Sequence, residues 1–228
     1  MSYDNKYWYI SVCVEREVEC EQSELPAVGI DLGVKDLAVI ATTDKHLHTY
    51  RSINKSDRVR KLEKRLRRQQ RKLSRQRTAK PFDKAYQMCR NYQKTRHQVQ
   101  LTYRKLANIR ENYLHQVTTA VVKTKPLAIV LENLAVRNMM KNRHLAKAIQ
   151  DQQFYKFRTM IEYKAALHSI PVILADKFYP SSKTCHACGS IKRNLSLSER
   201  TFVCPDCSYT QDRDVNAAMN LASLALNS

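Results

Sequence analysis

Four cysteines arranged as two CxxC pairs, Cys185/Cys188 and Cys204/Cys207, constrain this chain more than any other feature of its sequence, because fifteen residues separate the pairs. Two sulfurs two residues apart on a tight turn can reach one ion, and a second such turn completes a tetrahedron of soft thiolates, which selects zinc over hard cations. The spacing predicts a structural zinc ribbon, a closed site that staples a small fold and carries out no chemistry. His186 lies inside the first pair, but four thiolates already fill a tetrahedral site, so it is not expected to ligate. The remaining cysteines, Cys13, Cys20 and Cys89, are scattered. That pattern fits a metal site in a reducing compartment and not a disulfide framework.

The second constraint is charge. Across 228 residues, 40 Lys and Arg stand against 21 Asp and Glu, a formal charge of +19, while 43% apolar content still supports a folded core. Such a surface collects phosphates and releases their counterions, so nucleic acid is the expected partner. No apolar run approaches the roughly 18 to 20 residues of a spanning helix, and "MSYDNKYWYI" lacks a signal core. The expectation is therefore a cytoplasmic chain with no membrane partner. Charge concentrates between Lys55 and Arg77, where 12 of 23 residues are Lys or Arg. Val59, Leu62, Leu66 and Leu73 recur there at helical spacing and predict a basic helix with a narrow apolar stripe. Lys61, Lys64, Arg65, Arg67, Arg68, Arg71, Lys72 and Arg75 are its candidate nucleic-acid contacts; a merely solvated charged face is the alternative. "TAKPF" breaks this helix. A second one is predicted from about Ala85 to Lys123, with Leu101, Leu106, Ile109, Tyr113, Val117 and Val121 on its apolar face, so the two make a helical hairpin.

Around this excursion the pattern is β-rich. "YWYISVCVE" alternates and reads as a strand; "AVGIDLG", "LAVIAT" and "HLHTYR" read as an antiparallel meander starting near Val28. "KPLAIVLENL" reads as a strand buried on both faces, a helix from roughly His144 to His168 follows, and "IPVILAD" reads as a second buried strand. Three strands, a helical excursion, strand, helix, strand: this order predicts an α/β mixed sheet of the ribonuclease-H kind. Asp31, Glu132 and the Asp212/Asp214 pair each fall at the end of a buried strand or the start of a helix, where α/β folds gather ligands. Together they could hold two hard divalent cations for phosphodiester chemistry. Each also has a structural reading: Asp31 as a turn residue, Glu132 as an ion-pair partner, and Asp212 or Asp214 as the cap of the last helix.

"GIDLGVKDLAV", "IVLENLAVRNMMKN", "YPSSKTCHACG" and "CPDCSYTQDRDVNAAMN", taken together over residues 7 to 226, resemble the TnpB (OrfB) proteins of bacterial insertion sequences, relatives of the type V CRISPR effectors. The resemblance implies a ribonuclease-H-like, RuvC-type nuclease with a long helical-hairpin insertion and a four-cysteine zinc ribbon, acting as an RNA-guided DNA endonuclease. It implies a core over 26–179 with the basic insertion at 52–123, the ribbon over 180–210 and a final helix over 211–228. Catalytic Mg²⁺ or Mn²⁺ would be held by Asp31, Glu132 and Asp214, with structural Zn²⁺ on the four cysteines. Asp212 would start the last helix, and Arg213 and Asn216 would orient a carboxylate or a phosphate. The expected partners are a guide RNA and target DNA. Family members carry a substantial N-terminal wedge-like barrel that binds the guide, and residues 1–25 look like its last remnant. A split nuclease needing a separate N-terminal chain or a second copy, a non-cleaving nucleic-acid-binding regulator of the transposon, and a DNA-joining transposase are the alternative readings.

Overall fold

The computed structural model describes residues 1–4, 6–15, 24–78, 89–196 and 198–226. They form two compact units, Met1–Arg16 with Ile53–Tyr113, and Glu17–Ser52 with Leu114–Ser228.

In the first unit a short antiparallel hairpin pairs β1 (Ser2–Tyr3) with β2 (Trp8–Tyr9). It is followed by α1 (Asp57–Thr78) and by α2 (Arg90–Lys123), whose last turns belong to the second unit. The narrow apolar stripe works as its spacing dictates: Val59 and Leu66 are buried with Val99 and Leu106 of α2, and Leu62, Leu73 and Ile109 pack against them. The break at 79–82 and the first residues of the second predicted helix lie outside the described residues. The long strand expected over "YWYISVCVE" is a correction. Only Trp8 and Tyr9 pair, and residues 10–15 have no regular structure. Val12 and Val14 are largely exposed; alternation marks two faces, but without a surface to bury either one it does not hold a strand.

The second unit is built on one five-stranded sheet. β3 (Val28–Leu32), β4 (Asp36–Thr42) and β5 (Leu47–Arg51) form the antiparallel meander. β6 (Ile129–Leu131) then joins β3 in parallel and β7 (Val172–Leu174) joins β6 in parallel, giving the order β5-β4-β3-β6-β7. Between the last two strands run α3 (Val136–Met139), α4 (Ala146–Gln152) and α5 (Phe154–Ala166). The single helix expected from His144 to His168 is thus broken, at Gln153, which adopts a left-handed backbone (φ 56°). The second strand expected to be buried is shorter and only half-buried, because β7 lies at the sheet edge, with a neighbour on one side alone among the described residues.

A small two-stranded sheet, β8 (Thr201–Val203) with β9 (Thr210–Asp212), leads directly into α6 (Arg213–Leu224). α6 lies flat on β3, β4 and β6: Ala218 and Met219 pack on Val39 and Ala41, and Leu221 packs on Val130 and Ala175. The approach is closest at Gly29. A Cβ placed there would lie 2.9 Å from Ala222 Cα and closer still to the Ala218 carbonyl and Ala222 amide. Glycine is required at this position because helix backbone occupies the volume a side chain would need.

Candidate metal centre and carboxylate cluster

The register of the parallel strands positions two acidic side chains. Ile30 of β3 pairs with Leu131 of β6, so Asp31 and Glu132 follow side by side at the carboxyl ends of neighbouring strands. Alternation turns both away from Ile30 and Leu131 and toward the face shared with Gly29 and Val130, which α6 covers. There they are linked by a side-chain hydrogen bond. Burial, the adjacent Glu132 and then Asp214 push the Asp31 carboxyl well above its usual range. Burial also raises Glu132, partly offset by the hydrogen bond from Asp31. Both carboxyls are thus held above their ordinary range, since two buried like charges resist ionising together without a cation.

Asp214 reaches the same neighbourhood from the first turn of α6. Its Oδ1 accepts from Arg213 Nη2 at 3.2 Å and its Oδ2 lies 3.8 Å from Arg200 Nη1. Asp212 serves the helix instead. As N-cap its Oδ1 accepts from the backbone N–H groups of Asp214 (2.9 Å) and Val215 (3.2 Å), fixing where α6 begins. Among the described residues the carboxylate oxygens do not converge as closely as the four cysteine sulfurs, which all lie within 4.8 Å of one another. Like charges spread apart, and the two guanidiniums hold Asp214. Carboxylate oxygens that burial and like charge disfavour as bare anions suit a small divalent cation.

The sulfur site is compact. Cys185 and Cys207, and Cys188 and Cys204, approach to 3.6 Å, close to the roughly 3.8 Å edge of a tetrahedron with 2.3 Å metal–sulfur bonds. Ser190 beside it lowers the Cys204 thiol to about 6. The Tyr209 amide favours a thiolate on Cys207, yet Cys188, burial, Cys204 and Cys185 together push that thiol up to about 12. Four thiolates cannot coexist at this spacing uncompensated, so the cluster can hold a metal ion such as zinc. Gly189, with φ 77°, closes the first knuckle by donating to the Cys185 carbonyl, and Phe202 fills the space behind Cys185 and Cys204. His186 stays outside the sulfur cluster; its ring is hydrogen-bonded to Asn220.

Two residues join the sulfur site to α6, and sequence reasoning missed one of them. Asn216, expected to orient a carboxylate or phosphate, instead donates to the Thr184 carbonyl (2.7 Å) and accepts from the His186 N–H (3.1 Å). Asn220, one turn further, donates to the carbonyls of Ser181 and Thr184, both at 2.7 Å. Both are buried. An i, i+4 pair of asparagines on the apolar face of a helix was the available signal. Gln152 was likewise missed: at the end of α4 it donates to the carbonyls of Gly33 and Val34 and accepts from Ser52, pinning the turn after Asp31.

On α1 the eight predicted contacts, Lys61, Lys64, Arg65, Arg67, Arg68, Arg71, Lys72 and Arg75, are all exposed. Arg67 lies 3.9 Å from Glu63, so one acid tempers the face. No helix among the described residues is long and apolar enough to cross a membrane.

A mixed α/β fold of this kind occurs in a solved structure titled "Cryo-EM structure of the Cas12f1-sgRNA-target DNA complex", with a TM-score of 0.59 at 19% identity over 86% of this chain and 49% of that one. Residues 11–143 match the OrfB_IS605 model, described as "Probable transposase", and residues 154–221 match the "Cas12f1-like, TNB domain" model. The chain belongs to the OrfB_IS605 family. A protein of Streptomyces pristinaespiralis named "Putative RNA-guided DNA endonuclease" is 32% identical over 96% of this chain and 50% of its own length. "Putative RNA-guided DNA endonuclease InsQ" of Escherichia coli K12 is 33% identical over 94% of this chain and 53% of its own length. The chain thus spans about half the length of the curated relatives it matches.

Proposed function

We propose that this chain supplies the nuclease part of an RNA-guided DNA endonuclease, with Asp31, Glu132 and Asp214 as its catalytic carboxylates. The observation that carries the reading is the Asp31–Glu132 dyad at the ends of adjacent parallel strands, with Asp214 opening the helix laid across them. The strand order β5-β4-β3-β6-β7, antiparallel in its first half and parallel in its second, supports a ribonuclease-H-like core of the RuvC type. The names of the relatives support guide RNA and target DNA as partners, as do the exposed cations of α1.

When bound, Mg²⁺ or Mn²⁺ would supply Lewis acidity for in-line attack of water at phosphorus. The protein's own part is positional. Asp31 and Glu132, mounted at the ends of adjacent parallel strands, would be two of the ligands that hold the cation, as ionised acceptors. Asp214, now beside Arg213 and Arg200, would be the third carboxylate to hold the cation, and the two guanidiniums would lie near enough to offset the charge of a bound phosphate. α6, held at one end by the Asp212 cap and on its flank by Asn216 and Asn220, fixes the third carboxylate against the other two. The four cysteines would hold zinc, and so keep the Thr184–His186 turn in the shape those asparagines grip.

The test is cleavage. Purified chain with its co-purifying RNA, Mg²⁺ and DNA complementary to that RNA should cut, and Asp31→Ala should not. Wild type cutting no better than the variant refutes the proposal, and sequencing that RNA identifies the guide.

A further inference from the structure

The N-terminal hairpin leaves a group of aromatic rings uncovered. Trp8 is 71% exposed, Tyr3 and Tyr7 about half. Tyr3 and Trp8 are cross-strand partners with ring centroids 4.9 Å apart, an arrangement that stabilises the hairpin but leaves most of the indole in water. The group is held in place. Asp4 accepts from the N–H groups of Lys6 (3.1 Å) and Tyr7 (2.7 Å) and from the Tyr9 hydroxyl (2.7 Å), and it pairs with Arg104 of α2. Lys6 Nζ and the Arg104 guanidinium stand over the Tyr7 ring at 4.6 and 4.8 Å.

The electrostatic setting narrows what can cover these rings. The spans that make up this unit hold 22 of the chain's 40 Lys and Arg and only six of its 21 Asp and Glu. Tyr103, next to Arg104, is hydrogen-bonded to Gln70 of α1, which lies in sequence between Arg67, Arg68 and Arg71, all exposed. Neighbouring residues of α2 thus meet the hairpin, through Arg104, and α1, through Tyr103. A second copy of so basic a unit would be repelled, whereas a polyanion that also carries flat apolar faces fits both features.

We infer that the β1–β2 hairpin, with Trp8 and Tyr3 at its surface, is a stacking platform for unpaired nucleobases whose phosphates are held by α1. This rests on the nucleic-acid reading above and extends it to residues outside the basic helix and the carboxylate cluster. Single-stranded RNA and single-stranded DNA share the chemistry. Base stacking on an aromatic side chain tolerates any sequence and adds to, without replacing, counterion release.

Trp8 is the chain's one tryptophan, so its fluorescence reports the platform directly. The full chain is titrated with oligothymidylate and oligouridylate of about 20 nucleotides, with a DNA duplex of equal length, and with heparin as a polyanion without bases. The single strands should quench Trp8 and heparin should not; the stronger quencher identifies the preferred strand. Trp8→Ala should weaken single-strand binding about 5- to 150-fold with the salt slope unchanged. Trp8→Phe should retain most of it. Joint replacement of Arg67, Arg68 and Arg71 by Gln should lower the slope instead. Tight single-strand binding with no quenching and no effect of Trp8→Ala overturns the platform while leaving the nucleic-acid reading intact. No binding to any oligonucleotide overturns both, and a Trp8-dependent dimer in sedimentation assigns the rings to a second copy and overturns the inference.

Discussion

Gly29→Ala is the sharpest probe of how the third carboxylate is held. The added Cβ would sit 2.9 Å from Ala222 Cα and closer to two further backbone atoms of α6, none of which can swing aside as a side chain can. Ordinary carbon contacts lie at about 3.5 to 4 Å, so α6 must shift by roughly 1 Å or β3 must bend. Overpacking of this sort costs about 1–3 kcal/mol. For a chain of this size each kcal/mol lowers the melting temperature by about 2–4 °C, so a loss of about 2–12 °C is expected in a thermal melt. Four residues separate Ala218 from Asp214, about 6 Å along the helix, so the shift reaches the carboxylate cluster. A misplacement of that size costs about 100-fold in rate, and Mg²⁺-dependent cleavage should fall accordingly. A variant that melts within about 1 °C of wild type and cleaves at its rate would show that α6 does not rest on Gly29, and the packing argument would be refuted.

Three further outcomes are expected. Burial, Glu132 and Asp214 hold the Asp31 pKa above its ordinary 3.8, so the folded state binds that proton more tightly than the unfolded chain. The resulting stability is fully present below about pH 4 and is lost as pH rises through the folded pKa. In Mg²⁺-free buffer at neutral pH, Asp31→Asn should therefore melt above wild type and show a flatter pH profile, whereas added Mg²⁺ should stabilise wild type more; identical profiles would exclude a proton on Asp31. Asn220→Leu removes the donor to the Ser181 carbonyl and should cost about 1–3 kcal/mol, with faster zinc loss to a chelator in a colorimetric assay. Unchanged release would mean that α6 does not support the sulfur site. Asp212→Ala deletes the cap on Asp214 and Val215 and should cost about 0.5–2 kcal/mol, whereas Asp212→Asn should be nearly neutral; urea denaturation distinguishes them.

The zinc-type spacing, the basic helix with its stripe, the β-meander and the strand before Glu132 were all legible in the sequence. Each is a local pattern: ligand spacing on one turn, a period of 3.6 residues, or an apolar run long enough to be a buried strand. The N-terminal alternation misled because period 2 says which residues share a face and not whether anything covers it; Trp8 and Tyr9 pair, and Ile10 to Glu15 find no partner strand among the described residues. The helix break at Gln153 had no signal, since neither Gly nor Pro marks it, and Gln152 is turned inward there to bond the backbone after Asp31. Sequence alone could nominate Asp31, Glu132, Asp212 and Asp214 as acids in suitable places. Only the tertiary structure decided where each one lies and what it touches, because that depends on distances across elements far apart in the chain. Parallel register sets Asp31 beside Glu132, cap geometry gives Asp212 to the helix, and the small residues of α6 on Gly29, with Asn216 and Asn220 gripping the knuckle, bring Asp214 to the pair.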